Sequence, residues 1–132
     1  MKALKYVALI GISLFVIIIV VSNNSNPTPS RAISFAKDSV SKIMKDPDSV
    51  KFDSLNFYPE DQPQGEQISG HVCGYLNAKN SFGAYTGRTR FVSGITVSNN
   101  GRTAKYSQPV IEELSSEISI SAMDALWDKV CK

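Results

Sequence analysis

His71 and Cys73 stand two residues apart in a segment, 67–77, whose apolar side chains Ile68, Val72 and Leu76 alternate with Ser69, His71, Cys73, Tyr75 and Asn77. A period of two is that of a strand, so imidazole and thiol share one face. A Cys beside a His can act as a nucleophile, because the imidazole lowers the thiol pKa. The competing reading is a disulfide, since Cys73 and Cys131 are the two cysteines of the chain and an even count outside the cytoplasm reads as one bridge. The carboxylates are poorly grouped for acid–base work. Asp46 and Asp48 flank a proline, Glu60 and Asp61 fall in a turn-rich segment, and Glu113, Glu117, Asp124 and Asp128 form one ridge of a helix. EF-hand, HExxH, GxSxG, Walker A and GxGxxG patterns are all missing from the sequence. One His and two Cys are too few for a closed zinc site without carboxylates or water. No catalytic residue, metal or cofactor is therefore assigned.

A second candidate is NAKNSFGAYTG, residues 77–87, which sets Asn77, Lys79 and Asn80 beside Phe82 and Tyr85 and runs on to Arg88 and Arg90. Aromatic side chains among small polar ones suit a recognition loop, because they add contact area at low entropy cost. An arginine beside such a loop can pair with an anionic partner. The plainer reading is a connection between strands, with glycines at positive φ and Phe82 in the core. The expected binding residues are Asn77, Lys79, Asn80, Phe82, Tyr85 and Arg88.

These residues need a scaffold, and 132 residues provide one domain of modest size. Ahead of it, residues 6–21 carry no charge and only Ser13 as a polar side chain. Sixteen helical residues span about 24 Å, short of a hydrocarbon core of about 30 Å. The run is also longer than the apolar part of a cleaved signal, about 7–15 residues. The best cleavage pattern, Val20-Val21-Ser22, puts a β-branched residue where Ala is preferred. A membrane anchor is the expectation and a cleaved signal the alternative. Lys2 and Lys5 keep residues 1–5 cytoplasmic by the positive-inside rule, which places the remainder across the membrane. Setting those two aside leaves 12 basic and 12 acidic residues, a balance that gives no footprint for nucleic acid.

Residues 22–30, SNNSNPTPS, read as a polar tether. A helix is expected over 31–45, with Ile33, Ala36, Val40, Ile43 and Met44 on one side, Ser30 as N-cap and an Asp38–Lys42 pair on the other side. Phe35 lies off that stripe. Segments 50–52 and 55–57 read as a strand whose apolar phase slips at Asp53-Ser54, the mark of a bulge. Gly70 and Gly74 fall on the apolar face of the next strand, where a neighbour can approach closely. A third strand is expected over 84–98, ending in the hairpin signal Asn99-Asn100-Gly101 with a return over 103–106. A last helix is expected over 109–130, with Ser107 as cap and Pro109 in the first turn. One of its stripes holds Ile111, Leu114, Ile118, Ala122, Ala125 and Leu126, and a second holds Ile120, Met123, Trp127 and Val130. An arc that wide predicts cover on more than one side. A Cys73–Cys131 bond would staple this helix to the middle strand and contribute on the order of 4 kcal/mol.

KDPDSVKF (residues 45–52), VCGYLNAKNSFGAYTG (residues 72–87) and the late Trp127 and Cys131 together resemble a group of small exported proteins of Gram-negative bacteria and their mobile elements, over residues 32–131. The resemblance implies the same domain limits and an envelope location. No catalytic residue carries over from it. The expected fold is α+β: membrane helix, helix, an antiparallel sheet of three or four strands, then a disulfide-stapled helix. The expected role is a single-pass inner-membrane protein whose periplasmic domain, residues 31–132, binds an envelope protein or cell-wall component. An immunity or exclusion factor is one form of that role. A small hydrolase or thiol enzyme using His71, and a membrane-perturbing protein acting through residues 6–21, are the alternatives.

Overall fold

Ala32, Ala36 and Val40 recur at four-residue spacing, and all are fully buried where helix α1 (Pro29–Ile43) lies on a sheet. The computed structural model describes residues 26–60, 62 and 65–132. The expected membrane helix over 6–21, the N-terminus 1–5 and residues 22–25 of the tether lie outside them. Among the described residues, no helix is long and apolar enough to cross a membrane. The domain is α+β. After α1 come a 3-10 turn (Pro47–Ser49), β1 (Lys51–Pro59), β2 (Ile68–Asn77), β3 (Thr89–Ser98), β4 (Thr103–Tyr106), β5 (Val110–Ile111) and helix α2 (Glu117–Val130). The sheet is an antiparallel meander, β1-β2-β3-β4, with β5 paired to β3 next to β4.

Register divides the sheet into two faces. Ile68, Val72 and Leu76 of β2 and Phe91, Ile95 and Val97 of β3 point to α1 and form the main core. Phe52 joins it edge to face with Phe91, their centroids 5.8 Å apart. Phe35 packs against the same core from α1. The opposite face holds Cys73 and Val92, covered by Met123 and Cys131 of the C-terminal helix segment. Cys73 and Cys131 are bonded, with Cα atoms 5.9 Å apart. The disulfide consumes both thiols, which overturns the thiol-enzyme reading of His71 and Cys73.

The bulge falls where the phase slips: pairing shifts between Asp53 and Asn56, and Ser54 takes a φ of 54°. The expected close approach at Gly70 also holds, and the neighbour is β1. A Cβ there would meet the Tyr58 carbonyl and sit 2.8 Å from the Cα of Pro59. The β3–β4 turn strings Asn99, Asn100 and Gly101 through the left-handed region, where Asn and Gly are least strained.

Three expectations need correction. Helix α1 starts earlier and stops earlier than 31–45, because Thr28 rather than Ser30 caps it, accepting from the Arg31 amide at 3.4 Å, and Met44 turns extended. Asp38 and Lys42 do not pair among the described ion pairs. The segment expected as one helix over 109–130 is two elements. Val110 and Ile111 pair with Val92 and Phe91, and the Glu112 amide donates to the Arg90 carbonyl at 3.0 Å. A buried partner for Glu112 outweighs the helical pattern, and the helix restarts at Ser116, whose hydroxyl accepts from the Ser119 amide. Consequently α2 is covered on one side only. Met123 is buried, whereas Ile118 is 84% exposed and Leu114, Ala122 and Ala125 face solvent.

Ser93 is fully buried beneath α1 and its hydroxyl has no partner. A desolvated hydroxyl without a hydrogen bond costs about 1–3 kcal/mol. Ser93→Ala is therefore expected to raise stability by about 1 kcal/mol, read as a higher denaturant midpoint with an unchanged m-value.

Candidate functional site

The 78–88 connection is a built loop rather than a slack one. Thr86 N donates to the Ala78 carbonyl at 3.1 Å, and Lys79 and Tyr85 form an isolated bridge. The Asn80 side-chain oxygen accepts from the amides of Phe82 at 2.9 Å and Ala84 at 3.1 Å, an Asx arrangement that substitutes for a backbone turn. Asn77 Oδ1 accepts from the Gly87 amide at 3.1 Å and closes the base, where Gly87 has a φ of 107°. That conformation explains why β3 begins at Thr89 rather than at the expected 84. Asn80→Ala removes both side-chain bonds, so a loss of about 1 kcal/mol is expected. Amide exchange at Phe82 and Ala84 should accelerate with it.

Phe82 sits at the tip, 94% exposed, which excludes the reading that tucks it into the core. Tyr85 is 40% exposed and is anchored by its hydroxyl, which donates to the Ser49 carbonyl at 3.2 Å. Lys51 Nζ lies 4.5 Å and Lys79 Nζ 5.6 Å from the Tyr85 ring centre. Arg88 lies against β1: it donates to Asp53 at 2.7 Å, and its guanidinium stacks 3.4 Å over the Tyr75 ring. Hydrogen bonds from Ser54 and then Arg88 hold the Asp53 carboxyl below its usual range. The six expected residues therefore divide. Asn77 and Asn80 shape the loop, Arg88 is already paired, and exposed Phe82 and Tyr85 with half-buried Lys79 form an aromatic and basic tip. Lys51 belongs with them and was not anticipated, because it enters from another strand.

Tyr75, whose ring centre is 5.6 Å from that of Trp127, continues the Arg88 stack to Arg90, 5.7 Å from the indole. Arg90 bridges Glu112 at 2.5 Å and Asp124 at 2.7 Å. Of the acidic ridge, Asp124 pairs with Arg90 and Asp128 with Lys132 at 2.6 Å, and both carboxylates remain largely exposed. Among the described residues no group of three His, Cys, Asp or Glu is placed to hold a metal ion.

Placement along the sheet matters as much as local geometry. Strand β2 runs from Ile68 to Asn77, about 33 Å at 3.3 Å per residue. The 78–88 loop lies at the Asn77 end. The N-terminal chain arrives at the other end, where Pro27 is buried beside Gly101 and the Arg31 Nε donates to the Gly101 carbonyl at 3.1 Å. Comparison with protein-family models, curated proteins and solved structures finds no match to this chain.

Proposed function

We propose that this protein is a membrane-tethered recognition module of the Gram-negative envelope, which presents the Phe82–Tyr85 tip to a periplasmic protein or cell-wall partner. The observation that carries the reading is Phe82, 94% exposed on a hydrogen-bonded loop at the pole opposite the incoming chain. A solvent-exposed phenyl ring held in one place loses little entropy on docking. Lys51 and Lys79 beside Tyr85 favour a partner with carboxylates around an apolar pocket. The resemblance to exported proteins and the apolar run 6–21 support the location, and the polar residues 22–26 give the domain reach from the bilayer. An immunity or exclusion factor fits this layout.

A photo-crosslinking residue placed at 82 in the full chain, in cells, tests it. A discrete adduct is expected at 82, absent when the same group is placed at Thr103 on the opposite pole, and lost in Lys51→Glu. Phe82→Ala should leave stability within about 0.5 kcal/mol, as for an exposed side chain, while abolishing co-purification of the crosslinked partner. Equal labelling at 82 and 103 would remove the proposal.

A further inference from the structure

The half of the outer sheet face that α2 leaves open is polar, and its centre is a glycine. Tyr58, His71 and Gly94 are register partners on β1, β2 and β3, and the Ser107 amide donates to the Gly94 carbonyl at 3.1 Å just beyond β4. These four residues form one row across the sheet. A Cβ on Gly94 would lie 2.8 Å from Ser107 Oγ and 3.7 Å from His71 Nε2. Hydroxyl and imidazole therefore lean over the bare glycine from the two sides of β3. Behind the imidazole, Glu60 Oε1 lies 3.5 Å from His71 Nδ1. With Nδ1 turned to Glu60, Nε2 is the ring nitrogen on the Gly94 side, the side over which Ser107 Oγ also leans. Glu60, His71, Gly94, Lys105 and Ser107 line one open groove of about 350 Å³.

We propose that Ser107, His71 and Glu60 form a hydrolytic centre for esters of short acyl groups, a second site separate from the Phe82 loop. Ser107 is the nucleophile, His71 the general base and Glu60 a positioning residue. Ser107 Oγ bonds to the ester carbonyl carbon while its proton passes to His71 Nε2. The tetrahedral intermediate then collapses, the bond to the alcohol oxygen breaks, and the imidazolium returns the proton to that oxygen. Water repeats the sequence on acyl-Ser107 and releases the carboxylic acid. Lys105 supplies positive charge in the groove where the oxyanion develops. The groove is open and shared between polar Glu60, His71, Lys105 and Ser107 and the apolar surfaces of Ile95 and Tyr106, room that suits acetyl-sized groups.

The test uses the full chain in detergent with a fluorophosphonate probe, and p-nitrophenyl acetate as substrate. A single covalent adduct on Ser107 is expected, absent in Ser107→Ala and His71→Gln. Ester turnover should fall about 100-fold in either variant, the usual scale for losing a positioned base. Glu60→Gln should lower labelling at least about tenfold and Glu60→Asp restore it, a rescue that a purely structural carboxylate would not give. Ser107 is exposed, so Ser107→Ala should melt as the parent does. Absence of the adduct, or turnover unchanged in Ser107→Ala, overturns the proposal and leaves the Phe82 reading standing.

Discussion

Replacing both Cys73 and Cys131 with alanine should lower the unfolding free energy by on the order of 4 kcal/mol, the chain-entropy value for a closed loop of about 60 residues. The cysteines are 58 apart in sequence. The loss should not be spread evenly. Helix α2 has 14 residues and buries only Met123 fully, with Leu126, Trp127 and Val130 partly covered. An isolated helix of that length is marginal in water. The sheet and α1, by contrast, share a continuous core from Ala32 to Val97. Hydrogen exchange on the double variant is therefore expected to show residues 117–130 exchanging far faster while β2 and β3 stay protected. A second reading comes from Trp127, whose fluorescence should shift to the red as its stack with Tyr75 opens. A uniform loss of protection, or a stability change below about 1 kcal/mol, would show that α2 is held by packing instead.

The contrast between α1 and α2 also marks what the residues reveal unaided. Strand β2 was legible because its two faces differ in polarity, and the bulge because an apolar phase slips at Asp53-Ser54. The Asn99-Asn100-Gly101 turn was legible for a steric reason, since these types tolerate positive φ. The segment after Pro109 was not. Its apolar residues recur at helical spacing, yet Glu112 is drawn to Arg90 of β3 and pulls Val110 and Ile111 into the sheet. Periodicity carries no information on which distant charge a residue will meet. The same holds for the sites. Phe82 and Tyr85 were recognisable from the composition of one loop, whereas Lys51, and the group of Glu60, His71 and Ser107, come together from segments far apart in the chain. Glycine at position 94 acquires meaning only once His71 of β2 and Ser107 beyond β4 flank it.

The Arg90–Glu112 pair makes the second large effect measurable through its pH dependence. The Glu112 side chain is 6% exposed and that of Arg90 18%. Glu112 accepts from Arg90 Nε at 3.1 Å and from the Arg90 amide at 3.2 Å. The guanidinium hydrogen bonds are the largest cause holding the Glu112 carboxyl below its ordinary 4.5, against the opposing effect of burial. A depressed folded pKa contributes stability above 4.5 that is lost as pH falls through the folded value. Arg90 is raised by the same bonds and stays charged throughout. Arg90→Met strips the partner and leaves a buried carboxylate, so a loss of about 3–5 kcal/mol is expected at neutral pH. The sign of the pH dependence should then reverse. Without the guanidinium, burial pushes Glu112 upward, and its penalty is relieved as protons bind. The variant should gain stability from pH 7 to about 5, where the parent is flat or declining. Arg90→Met/Glu112→Leu should recover most of the loss and abolish the reversal, because it removes the buried charge together with its partner. Denaturation of the three proteins at pH 7 and about 5 decides the matter: parallel pH profiles for parent and Arg90→Met would mean that Glu112 finds water when Arg90 is gone.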